Sequence, residues 1–189
     1  MDYQSQIYRY RVDANDLIVW VDPLWLAFAQ ENGASELTED SVLSRSLWEF
    51  VAGDVTRRLF AELHARVRQF HRPVVLPFRC DSPSLKRHMQ LTITEEQNAQ
   101  LLYKCVLLHV EPQSDVGVLY SAQRRSNCFL TMCSCCKRAL LESVGWLGLE
   151  DVSARLRVFD QPEVPGLRYT VCPECSDTMR NCSDNGDAA

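Results

Sequence analysis

The chain has 189 residues, enough for one ordinary domain with a small appendage, and its 46% apolar and aromatic content suits a packed core. A formal net charge of −5 argues against a general phosphate-binding surface, because nonspecific nucleic-acid affinity rests on basic patches. No stretch approaches the roughly 20 apolar residues of a membrane-spanning helix. The polar opening Met1-Asp-Tyr-Gln-Ser-Gln lacks the basic start and apolar run of a secretory leader, so a cytoplasmic location is expected.

In chain order, residues 8–12 alternate, with Tyr8, Tyr10 and Val12 on one face, and 17–21 form a second β-branched and aromatic strand after turn chemistry at Asn15 and Asp16. Asp22-Pro23 then pairs an N-cap with a first-turn proline. This predicts a short helix to about residue 30 that buries Leu24, Ala27 and Phe28. Residues 42–51 carry Leu43, Leu47, Trp48 and Phe50 in a second short helical segment that Gly53 closes.

The surest helix spans 54–70. Val55, Leu59, Leu63 and Val67 recur every four residues, Phe70 follows, and Asp54 is placed to cap the start. His64 lies beside that stripe, which predicts a partly exposed imidazole. Three strands follow, at 73–78, 85–94 and 101–110. Pro77 marks the first as an edge, and apolar residues on both faces mark the last as central. The polar join 95–100 closes a hairpin. Two strands, a run of helices and three antiparallel strands give an α+β class, with 1–112 as one unit and 113–132 as a connector. Residues 133–180 form a metal-binding module with Trp146 and a helix at 149–156 burying Leu149, Val152 and Leu156. The polar tail 181–189 is expected to be disordered.

Cysteine spacing carries the chemistry. Cys133-Ser-Cys-Cys136 and Cys172-Pro-Glu-Cys175 are two C-x-x-C pairs, and each can turn two sulfurs toward one ion. Nine cysteines is an odd count, which with this spacing fits bound metal in a reducing compartment better than disulfides. The expected ligands are Cys133, Cys136, Cys172 and Cys175 around a structural Zn²⁺. Cys135 is a possible substitute within the first pair. Four thiolates on Zn²⁺ leave a net −2, and Lys137 and Arg138 are placed to offset it. An iron–sulfur cluster would use the same ligands. Zinc is preferred because Cys-Pro-x-Cys beside a basic residue is a common knuckle.

Several strings together carry a resemblance. Ser44-Arg-Ser-Leu-Trp-Glu-Phe50, the helix after it, Pro77-Phe-Arg-Cys-Asp-Ser-Pro83 and Arg87-His-Met89 precede C-x-x-C-K at Cys133–Lys137, then Trp146, then C-P-x-C at Cys172–Cys175. This combination resembles a bacterial group of PAS-like sensory domains with a C-terminal zinc-ribbon-like segment. The resemblance implies a five-stranded antiparallel sheet with helices on one face. It also implies a non-enzymatic sensory or signal-relay protein that acts through a protein partner, of the kind represented by a histidine kinase or response regulator, and a homodimer.

Two rival readings stay open. A DNA-associated regulator would use Lys137, Arg138, Arg155 and Arg157 of the metal unit. The other is a haem- or flavin-binding sensor; for haem, the PAS-like resemblance implies an axial histidine at His64. Arg79, Cys80 and Asp81 read either as a turn held by an Arg79–Asp81 pair or, with Arg87, as an anion-facing group on the sheet. The sequence contains no nucleophile–base–acid constellation, phosphate-binding glycine loop or kinase signature, so no enzymatic activity is expected.

Overall fold

The computed structural model describes residues 6–114, 116–119, 124–156 and 163–182. The alternating segments pair into a five-stranded antiparallel sheet. Strands β1 (Ile7–Val12) and β2 (Ile18–Val21) form a hairpin whose turn is tied by Asp13, its carboxylate accepting from the N–H groups of Asn15 and Leu17. Strands β3 (Val74–Arg79), β4 (Leu85–Glu95) and β5 (Leu101–Pro112) complete the sheet in the order β2-β1-β5-β4-β3. The doubly apolar β5 is central, and Pro77 sits on edge strand β3, where its missing N–H is tolerated.

Helix α1 (Pro23–Glu31) is capped by Asp22, whose carboxylate accepts from the Trp25 N–H at 2.6 Å. The face it buries differs from expectation. Leu24 is 57% exposed and Ala27 is also exposed, whereas Trp25, Leu26 and Phe28 are half-buried. Ring contacts set this orientation: Phe28 lies 4.6 Å from Tyr8 and Trp25 lies 6.2 Å from Tyr10, so α1 docks on β1 through its aromatics. The expected helical segment at 42–51 is also divided. Helix α2 (Glu39–Val42) stops, and a single 3-10 turn at Leu47–Glu49 follows. Between them the Ser44 N–H donates to Ile18 O and the Ile18 N–H to Arg45 O, both at 2.8 Å, so this backbone pairs with β2 and cannot be helical.

Helix α3 (Asp54–Phe70) covers the sheet with Leu59, Leu63 and Val67, which join Val12, Leu76, Leu91, Ile93 and Tyr103 in one core. Each such side chain contributes about 1.5–3 kcal/mol by leaving water. Phe70, in the last turn, is 58% exposed instead of buried. The helix is not capped by Asp54 but begins at Gly53, whose φ is +90°. A Cβ there would lie 2.3 Å from the Tyr169 carbonyl oxygen, so only glycine permits this approach.

Tyr169 belongs to a second sheet built from β6 (Arg125–Cys133), β7 (Ala139–Leu141), β8 (Gly145–Leu147) and β9 (Val164–Thr170), in the order β8-β7-β6-β9. Residues 125–132, expected within a connector, are therefore an interior strand. Its pairing with β9 is parallel, so the partner lies far along the chain. Helix α4 (Leu149–Leu156) buries Leu149 and Val152 against Leu130, Met132 and Val164, while the Leu156 side chain lies outside the described residues. Val116 and Val118 pack in the same cluster, the latter on a 3-10 turn at Gly117–Leu119. Tyr120, Arg157 and the tail beyond residue 182 also lie outside the described residues.

Helix α5 (Pro173–Asn181) follows β9 and returns to α3. Both Arg66 guanidinium Nη atoms donate to Arg180 O at 2.9 Å, and the hydroxyls of Thr56 and Ser134 lie 2.9 Å apart. The Arg79 N–H donates to Cys135 O at 2.8 Å, and Lys86 pairs with Glu150. Cys133, Val171, Cys172 and Met179 thus share the core of α3 and the first sheet. Among the described residues, no helix is long and apolar enough to cross a membrane.

Candidate metal centre and the cavity beside it

Parallel pairing of β6 and β9 explains how two distant cysteine pairs meet. In register, Cys133 lies opposite Thr170, so both strands end at the same edge. After β6 the chain turns back within the first pair: the Lys137 N–H donates to Cys133 O at 3.1 Å and the Cys133 N–H to Arg138 O at 2.8 Å. After β9, Cys172 is the N-cap of α5, with Pro173 and Glu174 in the first turn, and one helical turn brings Cys175 beside it.

The sulfurs of Cys133, Cys136, Cys172 and Cys175 all lie within 4.8 Å of one another. A tetrahedral zinc site with bonds of about 2.3 Å has sulfur–sulfur edges of about 3.8 Å. Cys136 Sγ and Cys172 Sγ stand 3.8 Å apart, at that edge length. Cys133 and Cys172 are buried, and Cys136 and Cys175 are half-buried. The group fits a closed, four-thiolate metal ion.

The clustered thiols also act on one another's ionisation. Hydrogen bonds from the Cys135, Cys136 and Cys175 thiols draw the Cys133 thiol far below its ordinary range. The Cys175 thiol is pushed up chiefly by its hydrogen bonds with Cys133, Cys135 and Cys136, and burial raises Cys172. Sulfurs this close cannot all ionise unless a cation holds them. The surrounding donors are already aimed at the sulfurs. The Cys172 N–H donates to Cys133 Sγ at 3.4 Å, Arg138 Nε to Cys136 Sγ at 3.4 Å, and Arg138 Nη2 to Cys172 Sγ at 3.7 Å. Arg138 also pairs with Glu174, which, with the Cys136 sulfur, pushes its pKa further up. Lys137 faces elsewhere, its Nζ donating to Ser134 O at 2.8 Å. It occupies a left-handed φ of +60° that a glycine would hold with less strain.

Cys135 stands outside the four-sulfur group. Its thiol donates to Met179 Sδ at 3.9 Å and is pushed up to about 12, foremost by its hydrogen bond with Cys133. Both residues line a cavity of about 460 Å³ between the first sheet, α3 and the cysteine-bearing segments. Tyr10, Leu91 and Tyr103 line it from the sheet and Phe60 from α3. Burial raises the Cys80 thiol and pushes Cys105 up to about 12, so both lining thiols stay protonated at neutral pH.

No protein family matches this chain, and neither does any curated protein.

His64 departs most from its sequence reading. It is 1% exposed, not partly exposed, and both ring nitrogens are engaged. Nδ1 is hydrogen-bonded with Asp16 Oδ1 at 2.7 Å, and Nε2 with the Tyr103 hydroxyl. Arg68 Nη2 donates to the same Asp16 oxygen at 2.7 Å. Burial alone would raise the Asp16 carboxyl, but the hydrogen bonds from His64 and Arg68 outweigh it and hold it below the usual range. Four periodic apolar residues concealed this histidine, because its partners come from the β1–β2 turn and from β5. The Arg79 turn follows the simpler of its two readings: the guanidinium pairs with Asp81, whose side chain is buried. Helix α5 was missed, although Pro173 at its start, Glu174 in its first turn and Arg180 in its last are the usual terminal signals.

Proposed function

We propose that this chain is a non-enzymatic signal-relay protein in which a PAS-like unit is coupled to a structural zinc module held by four cysteines. The strand and helix order of the five-stranded sheet supports the PAS-like reading. The observation that carries the relay is the shared core: all four clustered cysteines pack with α3 and the first sheet, Cys133 and Cys172 buried in it and Cys136 and Cys175 against it. A shift in the sheet or α3 therefore reaches the cysteine-bearing strand ends through direct contacts and not through a flexible linker. Zinc is favoured by the closed four-thiolate set and by a sulfur–sulfur separation at the zinc edge length. In this reading output passes to a protein partner, a histidine kinase or response regulator, and the chain pairs as a homodimer.

Two measurements test the proposal. Elemental analysis with an absorption spectrum should return one zinc per chain and no visible band; colour from iron–sulfur, haem or flavin would overturn the zinc reading. Hydrogen exchange on Leu91→Ala, a substitution on β4 that faces the shared core, should deprotect amides of β6 and α5 as well as β4. Deprotection restricted to the first sheet would overturn the relay.

A further inference from the structure

We infer that the cavity beside the cysteine cluster is a binding site for an uncharged, largely apolar small molecule, and that its occupancy is linked to metal loading. The inference rests on the zinc reading above. Its volume of about 460 Å³ falls within the usual range for small-molecule sites of roughly 300–1,000 Å³. Tyr10, Phe50, Phe60, Phe78, Tyr103 and Tyr169 contribute to its walls. Such aromatic residues suit a flat or hydrocarbon body.

The charges around it select against an ionic ligand. Among the described residues, no carboxylate lines the cavity. The cations that line it are already engaged, Arg79 with Asp81 and Lys137 with Ser134 O. An anion would also lie beside four thiolates that carry a net −2 with zinc, and a cation would meet both basic side chains. The raised Cys80 and Cys105 thiols mark an interior that disfavours charge. Donors remain available, since an ammonium carries three protons and Lys137 Nζ places one on Ser134 O. A carbonyl or ether oxygen on an otherwise apolar molecule fits this wall.

The link to metal follows from who builds the walls. Ser134, Cys135 and Lys137 come from the first cysteine turn, and Cys175, Thr178 and Met179 from α5. The four sulfurs join these two segments, and Cys175 belongs to both the cluster and the cavity. A metal that fixes the segments completes the cavity, and by reciprocity a ligand filling the cavity strengthens metal retention. Ala52, Pro77 and Thr178 are exposed as well as lining, which marks where the cavity opens past edge strand β3.

The test uses the full chain and Nile red, an uncharged aromatic dye with a carbonyl. The zinc-loaded protein should bind one dye per chain with a blue-shifted emission. The anionic dye 1-anilinonaphthalene-8-sulfonate should bind at least tenfold more weakly. Saturating Nile red should slow zinc release to a chelator several-fold. Ala52→Trp, at the exposed opening, should keep its zinc and unfolding temperature, lose Nile red affinity at least tenfold, and release zinc at a rate indifferent to dye. Thr178→Trp repeats the test from the opposite rim should Ala52→Trp fail to fold. A zinc-loaded protein that ignores Nile red, prefers the anionic dye, or binds dye unaltered in both rim variants would overturn this inference alone. A chain that takes up no zinc would overturn the reading beneath it.

Discussion

Replacing Gly53 with alanine separates steric from conformational effects at the junction between the two sheets. The residue has φ +90°, and its Cβ would lie 2.3 Å from Tyr169 O and 2.9 Å from Tyr169 C, both backbone atoms that cannot rotate aside. Holding a non-glycine residue in such a region costs about 1–3 kcal/mol. Forcing α3 and β9 apart adds roughly another 1–3 kcal/mol of overpacking. Gly145 is the control, because its φ of +105° carries similar strain and nothing lies within 4 Å of its Cβ. Gly53→Ala should therefore lose about 1–3 kcal/mol more than Gly145→Ala. At roughly 2–4 °C per kcal/mol for a chain of this size, the difference in Tm is about 2–12 °C. Thermal and urea unfolding of zinc-loaded protein read it directly. Equal losses at the two glycines would refute the close approach of α3 to the second sheet.

Three further outcomes follow from the geometry. In a double-mutant cycle, Tyr103→Phe and His64→Phe should each destabilise, since each leaves a buried polar partner unpaired at about 1–3 kcal/mol, and the double variant should lose less than the sum; simple additivity in urea unfolding would contradict the bond. Asp16→Asn suits the φ of +61° at this turn but removes the charge. The native carboxyl is held below its usual value, so its contribution is complete above the unfolded pKa of about 3.9 and fades as pH falls through the lower folded value. The Tm gap between native and Asp16→Asn protein should be constant near neutrality and close below about pH 4; a gap independent of pH would refute the Asp16–Arg68 ion pair. Arg138→Met removes both side-chain donors to the sulfurs and should weaken zinc affinity by about 10–100-fold in competition with a chelating dye, while unchanged affinity would show that those contacts do not tune the metal.

Local pattern carried much of this fold. Alternation, β-branched and aromatic content, and a doubly apolar run located the five strands of the first sheet, and the four-residue stripe delimited α3 from Asp54 to Phe70. The two C-x-x-C pairs named four residues whose sulfurs the structure gathers. What stayed hidden depends on partners remote in sequence. Residues 125–132 have little periodicity because β6 lies inside its sheet, paired in parallel with a strand across α4. His64 is explained only by Asp16 and Tyr103, and the 42–51 segment only by the backbone of β2. The exposed face of α1 was misassigned because Trp25 and Phe28 follow the aromatic rings of β1.

Metal content and unfolding measured together on native protein and Cys172→Ala test most directly whether four sulfurs around one ion hold the two sheets as one body. The native chain should carry one zinc and unfold in a single transition that chelation lowers steeply, since metal binding here acts as folding free energy. Cys172→Ala should fall well below one zinc per chain, with α5 and the strand ends of β6 and β9 unfolding before the first sheet. Undiminished zinc and an unshifted single transition in Cys172→Ala would contradict it.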